Sequence, residues 1–342
     1  MPRLPRAVPP VLSGLLLLTA CGSHDASPGA GIPDVKVGVE ALCPSDYTQY
    51  GATPSADRPT ATPSGTPTSL PLPSPVTDED GVRVTKLYAW GPDSGCVGVD
   101  HSAEFEIVNT TPAAATYTVT LSFSSASGTA AGTAEAVVEA VGPGRTGKGA
   151  AAMTGTVPGD LQVTGVKVIR VRSVPVAEAS SASGPCPASG VRVYADRGDA
   201  AMGLRAVGLH LVNCGTEPYA LDGYPEMEIQ DEDHDTVKGV RILRGTQEIG
   251  GGLGGQEAPQ ALTLRPGEAA RTTLAWRNTT QAGTPVNAPY ARVWARPGAD
   301  PVMVVPELDL GTTGRLGVGP WRRDETYRDR DQDQGQDATA RP

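Results

Sequence analysis

Aromatic side chains are scarce: two Phe, four Trp and nine Tyr amount to 4% of 342 residues. The segments between glycines and prolines are filled instead by Val, Thr, Ser and Ala, which favour strands joined by turns. No stretch sustains a 3.6-residue apolar period, which argues against helix bundles and two-lobed α/β solute receptors. Nor does any apolar run reach the roughly twenty residues that cross a hydrocarbon core about 30 Å thick. The nearest, Val11 to Leu18, is far too short and follows prolines at 5, 9 and 10. Positive charge is also in deficit. The formal net charge is −10, with none of the basic patches that neutralise phosphates, so nucleic acid is not an expected partner.

Catalytic and cofactor signatures are missing too. There is no GxSxG elbow and no HExxH helix, and no cysteine pair has the CxxC spacing of a redox or zinc site. Of four histidines, His24 lies near the amino terminus, and His101 and His234 are expected in turns. His210 sits between Leu209 and Leu211 on an expected strand, so it should face solvent opposite those leucines. The run Gly250 to Gly255 is followed by Gln256, Glu257 and Pro259 instead of the Gly-Lys-Ser/Thr of a phosphate loop. It reads as a flexible hairpin insertion, and as a candidate ligand-contacting loop. Asp231, Asp233 and Asp235 alternate as calcium ligands do. The sixth and twelfth places of that pattern hold Thr236 and Ile242 in place of Gly and Glu, so a solvated hairpin turn is the better reading. No metal, no cofactor and no catalytic residue is assigned.

What the chain does have is glycine (42), proline (32) and segments rich in Val, Thr, Ser and Ala, a composition that favours short strands joined by turns. The clearest is Thr116 to Ser124, where Tyr117, Val119, Leu121 and Phe123 alternate with hydroxyl residues. Period two places the apolar set on a core and the hydroxyls in solvent. The expected fold class is all-β: two immunoglobulin-like sandwiches joined by flexible linkers. The expected boundaries are a signal peptide at 1–20, a tether at 21–34, and a strand plus Pro/Thr/Ser-rich segment at 35–79. A sandwich at 80–175, a linker at 176–185, a second sandwich at 186–321 and a disordered charged tail at 322–342 follow. The strand is expected over Val35, Val37 and Val39. The Pro/Thr/Ser-rich stretch, Thr53 to Pro75, is either a wall spacer or an insertion between strands.

The amino terminus carries the strongest signal. Arg3 and Arg6, the apolar run, and then Leu18-Thr19-Ala20-Cys21-Gly22 have the order of a secretory signal. This order resembles the bacterial lipobox, which implies acylation of Cys21, palmitate-type chains, and residence on the outer face of a cell membrane. Loss of the two arginines with the signal takes the net charge from −10 to −12. Four cysteines remain: Cys43, Cys96, Cys186 and Cys214. In an exported chain they are expected as two disulfides with three possible connectivities. A Cys43–Cys96 bridge would close the Pro/Thr/Ser-rich stretch as a loop.

A further resemblance lies in Leu221-Asp222-Gly223-Tyr224-Pro225, Leu264-Arg265-Pro266-Gly267-Glu268 and the closing Gly319-Pro320-Trp321. With Cys186 and Leu209 to Asn213, these look like the DUF4232 family of β-rich domains found in actinobacterial lipoproteins. That family often places its second cysteine just before the Leu-x-Gly-Tyr-Pro motif. Here Tyr219-Ala220 stand there and Cys214 lies earlier, so a Cys186–Cys214 pairing implies altered local geometry. The resemblance brings no known catalytic role. The expected function is a non-catalytic, lipid-anchored envelope protein whose sandwiches bind or scaffold a wall component or a protein. The alternative is an exported hydrolase with a site assembled from distant loops.

Overall fold

The computed structural model describes residues 39–43, 66–72, 80–91, 94–96, 98–154, 161–180 and 185–327. Cys21, the signal and the tether lie outside the described residues. The first sandwich contains β1 (Thr68–Leu70), β2 (Val82–Ala89), β3 (Val99–Val108), β4 (Ala115–Ser125), β5 (Ala130–Val141), β6 (Thr146–Thr154) and β7 (Val163–Pro175). One sheet has the order β1-β2-β3-β6 and the other β5-β4-β7. The chain changes sheet at β3–β4, β5–β6 and β6–β7, as in immunoglobulin-type sandwiches. Val84, Leu87, Phe105 and Ile107 meet Tyr117, Val119, Leu121 and Phe123 in the core. Each such buried side chain contributes about 1.5–3 kcal/mol.

Several expectations change. Val39 to Leu42 is one turn of helix, α1, where a strand over Val35 to Val39 was expected; residues 35–38 lie outside the described set. The next two side chains, Leu42 and Cys43, are both buried beside Trp90 and Val99, which strand alternation does not allow. Part of the Pro/Thr/Ser-rich stretch is structured. Thr68–Leu70 pairs with β2, and Leu70 and Leu72 pack on the core. Strand β6 is hidden in the sequence because Gly147, Gly149 and three alanines have little strand preference. They are small for a packing reason: a Cβ at Gly149 would lie 2.5 Å from Phe105 Cζ and one at Gly147 2.7 Å from Val138 Cγ1.

The second sandwich contains β8 (Val191–Ala195), β9 (Asp199–Ala201), β10 (Leu204–Asn213), β11 (Tyr219–Leu221), β12 (Glu226–Gln230), β13 (Arg241–Arg244), β14 (Leu262–Leu264) and β15 (Ala269–Arg277). It continues with β16 (Val286–Ala288), β17 (Tyr290–Trp294), β18 (Pro301–Val304), β19 (Leu308–Gly311), β20 (Arg315–Val318) and β21 (Arg322–Arg323). A long sheet, β13-β20-β15-β10-β8, also carries β9 and β21; the remaining strands form β12-β17-β18, β11-β14 and β16-β19. Leu209, Leu211, Leu274 and Trp276 of the long sheet share one core with Ile229, Val293, Val304 and Leu308. The Gly-rich run is not a hairpin insertion. It joins β13 of the long sheet to β14 of another, and Gly255 abuts Gly319, with only 2.9 Å between a Cβ at Gly255 and the Gly319 Cα.

The residues that carry the family resemblance are structural staples. Asn213, 1% exposed, donates its side-chain amide to Leu264 O at 3.0 Å and Glu217 O at 2.8 Å. Its backbone N–H donates to Glu268 O and its carbonyl accepts from Gly267 N–H. Trp321 N–H donates to Gly223 O at 2.8 Å, which ties the closing motif to the Leu-x-Gly-Tyr-Pro turn. The disulfides are Cys43–Cys96 and Cys186–Cys214. The tail expected to be disordered from residue 322 begins instead as a strand. Arg322–Arg323 pairs with β15, and Tyr327 packs on Tyr194, Val212 and Ala269; residues 328–342 lie outside the described set.

Both sandwiches fall in one compact unit. Val174 from β7 packs with Tyr290 and Met303 from the second sandwich. Arg172 forks onto Glu307 at 2.7 and 3.1 Å, and Arg292 reaches Glu178 at 2.7 Å. Ser173 N–H donates to the Tyr290 hydroxyl at 3.0 Å. The stretch expected as a flexible linker therefore starts as a bonded segment: Val176–Glu178 is a 3₁₀ turn and Ala179 bridges Met303. Residues 181–184 lie outside the described set.

Candidate functional site

The hydroxyl face of β4 is where the structure departs most usefully from expectation. Thr118, Thr120 and Ser122 are buried, at 8–9% exposure, on the central strand of sheet β5-β4-β7, and Thr118 lines a hollow that this sheet's outer face shares with the second sandwich. That hollow is an open cleft of about 380 Å³. Thr118, Glu135, Val137 and Arg170 line it from the first sandwich, and Arg197 and Glu307 are among its residues from the second. A second hollow, about 770 Å³, shares Arg170, Arg172, Arg197 and Glu307 with it.

Strand register explains the charges. Thr120 of β4 is opposite Glu135 on β5 and opposite Arg170 on β7, so one row crosses the sheet as Glu-Thr-Arg. Neighbouring strands are about 4.8 Å apart, which puts the two charged residues on either side of a central hydroxyl. Burial pushes the Glu135 carboxyl above its ordinary range; Arg197 and Arg170 pull it down, Glu307 adds to the rise, and the net shift is upward. No described residue gives Glu135 a hydrogen bond or an ion pair. The facing carboxylate, Glu307, is by contrast forked by Arg172 at 2.7 Å and approached by Arg170 at 3.8 Å.

Arg197 stands on the turn between β8 and β9, and this turn is held from below. The Asp196 carboxylate accepts Gly198 N–H at 2.9 Å, Gly208 N–H at 2.8 Å and the His210 ring Nε2 at 3.2 Å. Burial pushes the Asp196 carboxyl up, but these hydrogen bonds outweigh it and hold it below the usual range. Gly198 has φ +62°, and a Cβ there would lie 2.2 Å from Ala206 O, so the turn requires glycine. Tyr194 stacks on His210 with ring centroids 5.1 Å apart. Burial pushes its hydroxyl up to about 12, which keeps it neutral.

His210 does point away from Leu209 and Leu211, but it is no solvent-facing histidine. Its side chain is 19% exposed because Tyr194, Asp196 and the Asp324 segment cover it, with Asp324 Oδ2 at 3.9 Å. Asp231, Asp233 and Asp235 lie in the turn after β12. Asp231 Oδ1 accepts the N–H groups of Asp233 and Asp235 at 3.1 and 2.9 Å. Among the described residues no group of three or more His, Cys, Asp or Glu side chains is placed to hold a metal. The turn contributes elsewhere: Glu232 reaches Arg172 at 3.2 Å, and His234 stacks on Tyr290 at 4.3 Å. The disulfide cysteines are bonded and bring no reactive thiol to the cleft. Glu135, Arg170, Arg197 and Glu307 went unread in the sequence. The single signal for them was the alternation of β4, which marks a polar face without saying what covers it.

Residues 186–322 match the family described as "Domain of unknown function (DUF4232)"; a DUF4232 domain thus occupies the carboxy-terminal sandwich. No curated protein matches the chain significantly. A solved structure described as "putative beta-galactosidase from bacteroides fragilis" aligns at 11% identity over 64% of this chain, with a TM-score of 0.20. The alignment spans about a third, 32%, of that structure's length, and a score so low carries no argument about activity.

Proposed function

We propose that this chain is a lipid-anchored, non-catalytic protein of the outer envelope face, whose two-sandwich head recognises a partner or ligand through the inter-sandwich cleft. The membrane is its first partner, through acyl chains on Cys21. Support for the location comes from the order Leu18-Thr19-Ala20-Cys21 and from two disulfides, which persist in oxidising compartments. One acyl chain anchors only marginally and two or more anchor stably. The observation that carries the binding role is the cleft itself: the two joined sandwiches leave a hollow lined by charged side chains, of which Glu135 and Arg197 have no hydrogen-bond or ion-pair partner among the described residues.

Two measurements test this. Cys21→Ala should move the protein from the membrane fraction to the medium or soluble fraction; full membrane retention would refute the anchor. A photo-crosslinker placed at Glu139, on the exposed rim, should capture one recurring envelope component in living cells, and capture should fall when Arg197 and Glu135 are both neutralised. Random capture indifferent to those changes would remove the cleft from the reading.

A hydrolase is the second reading, and one observation favours it. A carboxyl with raised affinity for its proton, Glu135, shares the cleft with an ion-paired carboxylate, Glu307, and divergent carboxyl environments mark acid–base pairs. Against it, Glu307 is committed to the Arg172 fork, with Arg170 at 3.8 Å. Turnover on a panel of glycan and peptide substrates, lost in Glu135→Gln, would replace the binding reading with this one.

A further inference from the structure

We propose that the inter-sandwich cleft takes a zwitterionic amino-acid-type ligand, a short peptide with free ends and small apolar side chains, with its carboxylate on Arg197 and its ammonium on Glu135. This rests on the binding reading above and names its ligand class.

The charges in the cleft divide into engaged and unengaged. Arg172 is bound to Glu307 and Glu232, Arg205 to Asp309, and Asp196 to His210 and two backbone N–H groups. Arg197, Glu135 and the exposed rim carboxylate Glu139 make no hydrogen bond or ion pair to a described residue, and Arg197 attracts the Glu135 carboxylate without bonding it. Of the three, Arg197 and Glu135 have opposite signs, stand on different sandwiches, and face one hollow. A purely anionic ligand would meet Glu135 without compensation, and a purely cationic one would meet Arg197. A dipolar ligand satisfies both.

Arg197 is exposed and Glu135 is partly buried. Arg197 projects from a turn fixed by glycines at 198 and 208 and by the Asp196 carboxylate. Such fixing spares a ligand the entropy of ordering the residue that contacts it. Glu135 sits where burial is not repaid by a donor, and an arriving ammonium group would repay it. The lining also includes Val137, Val305 and Pro306, apolar surface suited to methyl-sized side chains. A hollow of about 380 Å³ is at the small end of ordinary ligand sites, which fits two to four residues of that size.

The test uses the full chain in detergent and calorimetric titration with alanine di-, tri- and tetrapeptides, each also as its N-acetyl and C-amide form. Probes go to about 10 mM, high enough to occupy a site with a Kd of about 1 mM. The expected result is that at least one free-ended peptide binds about tenfold more tightly than either blocked form. Arg197→Ala should abolish the preference over the amide, and Glu135→Gln the preference over the N-acetyl form. Absence of heat and of any shift in melting temperature with every probe would overturn the proposal, as would equal binding of free and blocked forms or indifference to both substitutions. Melts of each variant beside wild type in the same buffer control for their folding. If peptides fail while the crosslinker still captures one component in an Arg197- and Glu135-dependent way, this ligand class falls and the binding reading stands.

Discussion

The carboxylate of Asp196 occupies the space that a side chain at residue 208 would need. A Cβ on Gly208 would lie 2.3 Å from Asp196 Oδ2 and 3.0 Å from His210 Nε2, while the Gly208 N–H donates to Asp196 Oδ1 at 2.8 Å. Bare backbone on β10 is therefore the seat of the acid that fixes the Arg197 turn.

Gly208→Ala should displace Asp196 and loosen that turn. Overpacking of this kind costs about 1–3 kcal/mol, readable as a lower midpoint in chemical denaturation. Asp196→Asn keeps the shape and removes the charge, so it should cost less and leave the turn in place. Equal stability of Gly208→Ala and wild type would show that the carboxylate moves aside freely.

Arg172 and Glu307 lie 135 residues apart in sequence and join the two sandwiches through a charge-assisted fork. The Arg172 side chain is 14% exposed, so water does little to screen the pair. Either alanine substitution should cost about 1.5–3 kcal/mol. The double-mutant cycle should return a coupling of about 0.5–3 kcal/mol, with faster proteolysis between the sandwiches in both single variants. A coupling near zero would mean that the other contacts across the junction, Val174 with Tyr290 and Met303, Arg292 with Glu178 and Ser173 with Tyr290, hold it without this pair.

Glu135 predicts an inverted dependence on pH. Its folded pKa is raised by burial, against the pull of Arg197 and Arg170 and with Glu307 adding to the rise. Between the ordinary value of 4.5 and the raised one, the folded state holds more proton than the unfolded state. Stability from this group is therefore lost as pH rises through that window. Glu135→Gln should melt higher than wild type at pH 7, and the advantage should vanish below the ordinary carboxylate range. A lower melting temperature at pH 7 would reveal a donor to Glu135.

The carboxy-terminal strap is the fourth expectation. Ending the chain after Trp321 removes the β21 pairing with Ala270 and Arg271 and uncovers Tyr194, Val212 and Ala269. A chain ending after Tyr327 keeps both. The first should be less stable by about 1–3 kcal/mol, given the lost hydrogen bonds and exposed apolar area. It should also shift the His210 ring resonances, since Asp324 no longer approaches at 3.9 Å. Matching melts and spectra would show that the strap contributes nothing.

The sequence by itself determined what is local and periodic. Alternation through Thr116 to Ser124 fixes which side chains enter the core, because side chains leave a strand on opposite faces regardless of context. Glycine and proline placement marks the turns, and the Leu-x-Gly-Tyr-Pro and Leu-x-Pro-Gly motifs mark the second domain because backbone bonds around Asn213 and Trp321 need them. Only the tertiary structure decided what is non-local. That β6 is a strand depends on a corner tight enough to want Gly147 and Gly149. That the hydroxyl face of β4 shares a hollow with other strands depends on a second domain joined through Arg172 and Glu307. Glu135 and Arg197 are ordinary surface residues in any reading of the chain. They become a pair because strands of two separate sandwiches close one hollow, and a charge takes its meaning from the charges that share its surroundings.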